Sequence, residues 1–75
     1  MKLILINNYL QELDVLRADP KRNAYELSEL KFEISTMIDN YLLKHKKDVF
    51  IDILNHIYLD VEDALYEAFE LSRGA

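Results

Sequence analysis

The apolar positions in the last third of the chain follow a helical period. Between residues 50 and 71 they recur at steps of four and three, which keeps them on one face of an α-helix. Residues 48–73 contain no glycine or proline, so the pattern predicts one long helix over about residues 49–72. Its seam is predicted to be Phe50, Leu54, Ile57, Val61, Ala64, Ala68 and Leu71, widened by Ile51, Tyr58 and Leu65.

The first segment shows a similar period and is predicted to be a helix over about residues 2–18. A short strand at residues 3–6 is the alternative, because four apolar residues do not define a period. The helix is preferred since no second strand is visible to pair with it. Asp19-Pro20 ends the helix, because proline disfavours the α conformation in the residue before it. The predicted seam is Leu3, Ile6, Leu10 and Leu13, flanked by Tyr9 and Leu16.

A second helix is predicted over about residues 24–45. Asn23 followed three residues later by Glu26 has the spacing of a capping box. Lysines at positions 44, 46 and 47 suit a helix C-terminus, where cations complement the dipole. Asp48 is then placed to cap the third helix. The seam of the second helix is predicted to be Leu27, Leu30, Ile34, Met37 and Tyr41, with Ile38 and Leu42 beside it.

The boundary between the second and third helices carries no glycine or proline, so one continuous rod is the alternative. The two seams are out of phase, however. The second seam extended by sevens reaches positions 44, 48 and 51, whereas the third helix uses 50, 54 and 57. A slip of about two residues is easier to build with a bend than with a straight helix, so a turn is predicted.

These elements predict an all-α fold, a small antiparallel three-helix bundle in a single domain over residues 1–75. One glycine and one proline in 75 residues also favour helices over sheets. At ~1.5 Å per residue the last helix spans ~36 Å and the first ~25 Å. Part of the last seam is therefore expected to overhang its neighbours. An exposed seam predicts a homodimer through the long last helix.

The charge is unevenly distributed along the chain. The net charge is −5, and residues 48–70 hold seven acids and no lysine or arginine. This balance argues against nucleic-acid binding, which relies on neutralising phosphates with lysine and arginine. Four carboxylates at helical spacing form what we call the acidic stripe. The stripe is predicted to dock on a basic surface of a protein partner. The alternative is that it is a solvated face that aids solubility. The stripe consists of Asp60, Asp63, Glu67 and Glu70.

Tyr58 and Tyr66 are predicted to bind the partner together with the acidic stripe. A tyrosine at a seam edge buries its ring and leaves its hydroxyl in water, which suits an interface. Core-edge packing is the alternative role of both residues.

Catalytic and metal-binding patterns are sparse. The chain has no cysteine, no glycine-rich phosphate loop and no telling pair of serine and histidine, so no enzyme and no cofactor are predicted. Asp52, His56 and Asp60 are spaced to share a divalent ion on one helix. Helical carboxylate sites usually add Glu-x-x-His pairs from facing helices, and this chain contains none, so no metal site is predicted.

The expected location is cytoplasmic. No stretch approaches the ~20 apolar residues that a membrane span requires, so no membrane contact is predicted. The apolar run at residues 3–6 is too short for the core of a signal peptide.

Residues 11–16, QELDVL, resemble part of the motif of the small helical-hairpin aspartyl-phosphate phosphatases of sporulating bacteria. In that family a serine precedes the glutamine, where this chain has Leu10, and the aspartate that matches Asp14 is the functional acid. The family's motif lies in the second helix of its hairpin, whereas this stretch lies in the first predicted helix. The resemblance implies an alternative function as a phosphatase of response regulators with Asp14 as its acid.

The combined patterns predict a non-enzymatic interaction module or regulator, such as an inhibitor, an adaptor or an immunity-type accessory protein. It is predicted to present an apolar helix seam edged by carboxylates to a protein partner with a basic surface. A purely structural self-assembling subunit is the other alternative.

Overall fold

The structure is a computed structural model, in which the chain forms three α-helices. It describes the backbone of residues 2–73 and the side chains of residues 2–70. Helix α1 spans Lys2–Arg17, α2 spans Ala24–Lys44 and α3 spans Val49–Arg73. The described residues contain no strand. The predicted all-α bundle is therefore confirmed, and each helix begins and ends within one residue of its predicted bounds. The strand alternative at residues 3–6 and the continuous rod through residue 45 are excluded.

The long seam of α3 forms the centre of the core. Every predicted seam residue from Phe50 to Ala68 is buried, as are Ile51 and Leu65 beside it. Leu71 lies outside the residues whose side chains are described. Part of this seam was expected to extend beyond the neighbouring helices and to be exposed. That prediction is wrong for the residues up to Ala68, which are all buried. Helix α2 has 21 residues against the 25 of α3, so it covers most of the length of α3. The homodimer inferred from that overhang stays a prediction.

Helix α2 contributes the second part of the core as predicted, except that Leu42 is exposed. Leu27, Leu30 and Ile34 are buried, and Met37 and Ile38 pack half-buried against the same cluster. These residues sit at steps of three and four, so they form one stripe along α2. Burial of such side chains is the main favourable contribution to folding.

Helix α1 turns a different face inward from the one predicted. Ile6, Tyr9 and Leu13 are buried, whereas Leu3 and Leu10 are exposed. The predicted seam of α1 is therefore wrong at these two positions. An aromatic ring offers more apolar area than a leucine, and a helix that turns Tyr9 inward moves Leu10 outward.

Tyr9 is the largest side chain that α1 places in the core. The residue is 3% exposed, and its hydroxyl has no hydrogen-bond partner among the described residues. Burial raises the pKa of Tyr9, and the carboxylates of Glu33 and Glu12 raise it further. Glu33 acts on the hydroxyl electrostatically but does not lie in hydrogen-bond geometry. The neutral phenol is thus the form compatible with the core.

The connection between α1 and α2 is held by two polar side chains. The Asp19 carboxylate accepts a hydrogen bond from the Arg22 backbone N–H at 3.3 Å. The Asn23 side-chain amide donates to the Leu16 carbonyl at 3.0 Å, which satisfies a carbonyl at the end of α1. Asn23 precedes α2 but makes no side-chain capping bond. The predicted capping box is therefore wrong in its bonding, because this amide is engaged by the preceding helix.

A polar cluster fastens one end of the bundle, and we call it the Tyr41 cluster (Lys2, Tyr41, His45, Asp48). The Lys2 ammonium donates to the Tyr41 hydroxyl at 3.0 Å, and that hydroxyl donates to Asp48. The ring of Tyr41 stacks on His45 with centroids 4.4 Å apart. The cluster joins the start of α1, the end of α2 and the residue that precedes α3.

Asp48 caps α3 as predicted. One of its carboxylate oxygens accepts a hydrogen bond from the Ile51 backbone N–H at 3.2 Å. The other accepts a hydrogen bond from the Tyr41 hydroxyl. This bond, followed by the Ile51 N–H and the charge of Lys2, lowers the pKa of Asp48, although desolvation opposes the shift. The carboxylate is therefore stabilised in its ionised form.

Replacing Asp48 with alanine is expected to lower the melting temperature by several degrees, because α3 loses its cap and Tyr41 its acceptor. The folded-state pKa lies below the ordinary 3.8, so the contribution of the carboxylate is full above that pH. It is lost as the pH falls through the folded-state pKa. The difference between the two proteins should therefore shrink in acid. Thermal unfolding followed by circular dichroism at neutral and acidic pH measures it.

The control for this prediction is Asp63→Ala, which removes an exposed carboxylate from the middle of the same helix. It should leave the melting temperature nearly unchanged at neutral pH. An equal effect of both substitutions would mean that lost charge, rather than the cap, explains the result for Asp48.

Within residues 2–73, no helix is both long enough and apolar enough to cross a membrane.

Candidate partner-binding surface

The acidic stripe lies along one side of α3. Asp63, Glu67 and Glu70 are exposed, and Asp60 is half-buried. At 100° per residue the stripe is centred roughly 120° around α3 from the middle of the buried seam. Its four carboxylates share one face, as their spacing predicts.

The two predicted tyrosines lie on other faces of α3. Tyr58 is half-buried, and the Lys31 ammonium lies 5.6 Å from the centroid of its ring. Tyr58 therefore faces α2, roughly 160° around α3 from the stripe. Tyr66 is exposed between these two faces. The structure thus separates the six predicted site residues instead of gathering them into one site.

A long groove runs between α2 and α3. Its central depression has a volume of about 380 Å³, and two smaller ones of about 200 Å³ and 180 Å³ share lining residues with it. We call the three together the α2/α3 groove. The central depression is lined by Ser28, Lys31, Phe32, Ser35, Tyr58, Leu65 and Phe69.

Four large aromatic side chains stand exposed around this groove, and we call them the aromatic rim (Tyr25, Phe32, Tyr66, Phe69). Their exposed fractions are between 67% and 74%, although phenylalanine is normally an interior residue. Phe69 connects the four, because it lines one depression of the groove with Phe32 and a second with Tyr25. It also lines a further depression of about 210 Å³, beside the groove, with Tyr66. The rim is therefore one contiguous surface rather than four scattered residues.

Lys31 bridges the two helices at the centre of the groove. Its ammonium lies 3.4 Å from the Glu62 carboxylate and also faces the ring of Tyr58. Both charged side chains are more than a third exposed, so the ion pair adds little to stability. Its structural effect is to hold the lysine stem along the groove wall and to neutralise one carboxylate there.

The sequence pattern did not predict the groove, although it contained a signal for it. Tyr25 and Phe32 are seven residues apart on α2, and Tyr66 and Phe69 are three apart on α3. Both pairs lie off the seams of their helices, where polar residues are expected. Apolar residues that repeat off a seam indicate a second contact surface, but only the packing of α2 on α3 shows that the two pairs meet.

No metal site was found among the described residues: no group of three histidine, aspartate or glutamate side chains is placed to hold an ion. Asp52, His56 and Asp60, the helical spacing considered above, therefore do not form such a group.

No family model, no curated protein and no solved structure matches this chain. Asp14, the residue that carries the resemblance to the phosphatases, is exposed on α1. The phosphatase alternative stays a prediction.

Proposed function

We propose that this protein is a non-enzymatic interaction module that binds a protein partner with a basic surface, and that it does so through the aromatic rim and the α2/α3 groove. The observation that carries the proposal is the contiguous exposure of Tyr25, Phe32, Tyr66 and Phe69. Large exposed apolar patches mark interaction sites. Aromatic side chains also supply much of the binding energy at protein interfaces.

The sequence predicted that the apolar seam of α3 contacts the partner, but this seam is buried within the bundle. Its residues from Phe50 to Ala68 are covered within one molecule, so a partner meets side chains beside the seam instead. The acidic stripe lies on the far side of α3 from the groove. Its proposed role is to attract a basic partner over a distance, which raises the association rate more than the affinity.

The proposed surface depends on neighbouring helices that run in opposite directions. Three contacts support this arrangement. Asn23 bonds to Leu16 across the first connection, Lys2 at the start of α1 bonds to Tyr41 near the end of α2, and Lys31 pairs with Glu62. Such packing presents the two off-seam pairs of aromatics to the same side.

Site-specific photocrosslinking in cells that express the protein naturally tests the proposal. The crosslinking amino acid p-benzoylphenylalanine is placed at Tyr66, inside the rim, or at Val15, which is 70% exposed on α1. Crosslinks to another protein are expected from position 66 and not from position 15. The additional substitution Phe69→Ser should reduce them, because the rim loses its central ring.

Two results would count against the proposed function. Identical crosslinked products at both positions would show that the rim has no special role. Crosslinks from position 66 exclusively to a second copy of this chain would instead support the self-assembling alternative.

A further inference from the structure

The outward side of α2 carries large and small side chains in a regular order. They are spaced by three and four, so they form one stripe, roughly 150° around α2 from the buried stripe of Leu27, Leu30 and Ile34. Two are aromatic rings that are 73% and 74% exposed, two are serines, and the last is an exposed aspartate. We call this stripe the outer face of α2 (Tyr25, Ser28, Phe32, Ser35, Asp39).

The order of these residues is complementary to its own reverse. Ser28 and Phe32 lie two residues on either side of position 30, and Tyr25 and Ser35 lie five residues on either side of it. Each pair therefore combines a large ring with a small side chain. Two copies of α2 that pack antiparallel about a two-fold axis at position 30 would set each ring against a serine of the other copy. Such alternation of large and small side chains lets two surfaces interdigitate.

The charges at the two ends follow the same symmetry. Lys21 lines the depression at one end with Tyr25, and Asp39 lines the depression at the other end with Ser35. They lie nine residues on either side of position 30. Neither has an ion-pair partner within residues 2–70. The same two-fold axis would bring Lys21 of each copy near Asp39 of the other, so the dimer would gain two ion pairs that fix its register.

The remaining charges near this face oppose a dimer only weakly. Lys31 is the third charged side chain that lines the groove, and it is paired with Glu62 of its own chain. Glu29 lies beside the outer face and would approach its own copy near the axis. It is exposed, so water and salt screen this repulsion. The acidic stripe lies on the far side of α3 from the groove and takes no part in the contact.

From this self-complementary order we infer that the outer face of α2 binds a second copy of the chain in an antiparallel, two-fold dimer. A surface for an unrelated partner has no need of an order that matches its own reverse, whereas a two-fold interface requires one. The inference goes beyond the proposed function, and it places the contact on α2 instead of the α3 seam. Because the dimer covers Tyr25 and Phe32 of the aromatic rim, a second copy and the proposed partner bind this surface in turn.

Sedimentation equilibrium of the full chain tests whether it dimerises. A dissociation constant of about 10–100 μM is expected, since the contact involves one face of one helix. Phe32→Ser should weaken the dimer at least tenfold, because a ring is lost on each side of the axis, whereas Val15→Ser, at a residue 70% exposed on α1, should not. Circular dichroism confirms that each variant remains folded. A chain that is still monomeric at about 1 mM would overturn the inference.

Charge reversal tests the register. Lys21→Glu should weaken the dimer at least fivefold, because two repulsive contacts with Asp39 replace two ion pairs. Lys46→Glu makes the same change in net charge at an exposed residue away from this face, and should have a smaller effect. Combining Lys21→Glu with Asp39→Lys restores opposite charges and should return the dissociation constant to within about threefold of its original value. A double variant that dimerises no better than Lys21→Glu alone would overturn the inference.

Introduced cysteines report the pairing directly, because the chain contains none of its own. One chain carries Tyr25→Cys and another carries Ser35→Cys. A mixture of the two under mild oxidation is expected to form a disulfide between positions 25 and 35 at least tenfold faster than either variant alone forms one. In the antiparallel dimer, like positions are about 15 Å apart along the helices, too far for a disulfide. Equal rates in the mixture and in the single variants would contradict the antiparallel pairing.

The dimer and the proposed function can fail independently. A chain that stays monomeric while position 66 crosslinks to another protein would overturn the dimer and leave the proposed function intact. A dimer whose position 66 crosslinks to no other protein would support the dimer and count against the proposed function.

Discussion

Replacing Leu54 with alanine is expected to lower the free energy of unfolding by about 3 kcal/mol. Leu54 is 0% exposed and lies in the α3 seam, at the centre of the hydrophobic core. The substitution removes three carbons from a close-packed site and leaves a cavity there. The domain has only 75 residues, for which a total stability of about 4–11 kcal/mol is ordinary, so a large part of the total is lost. Urea denaturation followed by circular dichroism measures the change.

The same substitution at Leu59 provides the control. Leu59 lies on α3 five residues further along but is 54% exposed. Leu59→Ala removes the same atoms with the same change in helix propensity, and is expected to alter stability by less than about 0.5 kcal/mol. Similar losses at both positions would contradict the assignment of the α3 seam to the interior.

The helices could be predicted from the sequence because each one carries its own periodicity. The α3 pattern is regular over five turns, and its inward face follows directly from that regularity. Asp48 was also predictable as a cap, because an aspartate directly before an apolar run has few other roles. These are local features, and they depend on neighbours in the chain rather than on the packing of distant segments.

The details that failed depend on contacts between helices. In α1, leucines and a tyrosine occupy adjacent faces, so the pattern allowed more than one inward face. The packing selects Tyr9 over Leu10. Asn23 had two possible partners, the start of α2 and the end of α1, and its amide bonds to the Leu16 carbonyl. In both cases tertiary contacts decide between local alternatives of similar quality.

The candidate site could be predicted only in part for the same reason. The acidic stripe lies on one helix, and its shared face follows from spacing alone. The groove requires side chains from two helices, and no pattern within α2 reveals that Phe32 will lie beside Phe69 of α3. Tyr58 was assigned to the partner surface, and it lies half-buried beside α2, where it lines the central depression of the groove. Its part in partner binding stays a prediction.

Replacing Leu13 with aspartate is expected to release α1 from the bundle and to unfold most of the chain near room temperature. Helix α1 is anchored by just three buried side chains, Ile6, Tyr9 and Leu13, and Leu13 is 3% exposed. An aspartate there must either bury its charge, which costs several kcal/mol, or turn α1 outward. Turning α1 outward would also expose Tyr9 and break the hydrogen bond from Lys2 to Tyr41 at the end of the bundle. Circular dichroism should show a loss of helix larger than the sixteen residues of α1 alone if the three helices unfold together.

Val15→Asp is the matched control, because it places the same charge two residues further along α1 at a side chain that is 70% exposed. It should leave the helical signal and the unfolding midpoint almost unchanged. A loss of signal from Leu13→Asp that stops at sixteen residues would show that α2 and α3 fold as an independent hairpin, contradicting the expected cooperativity.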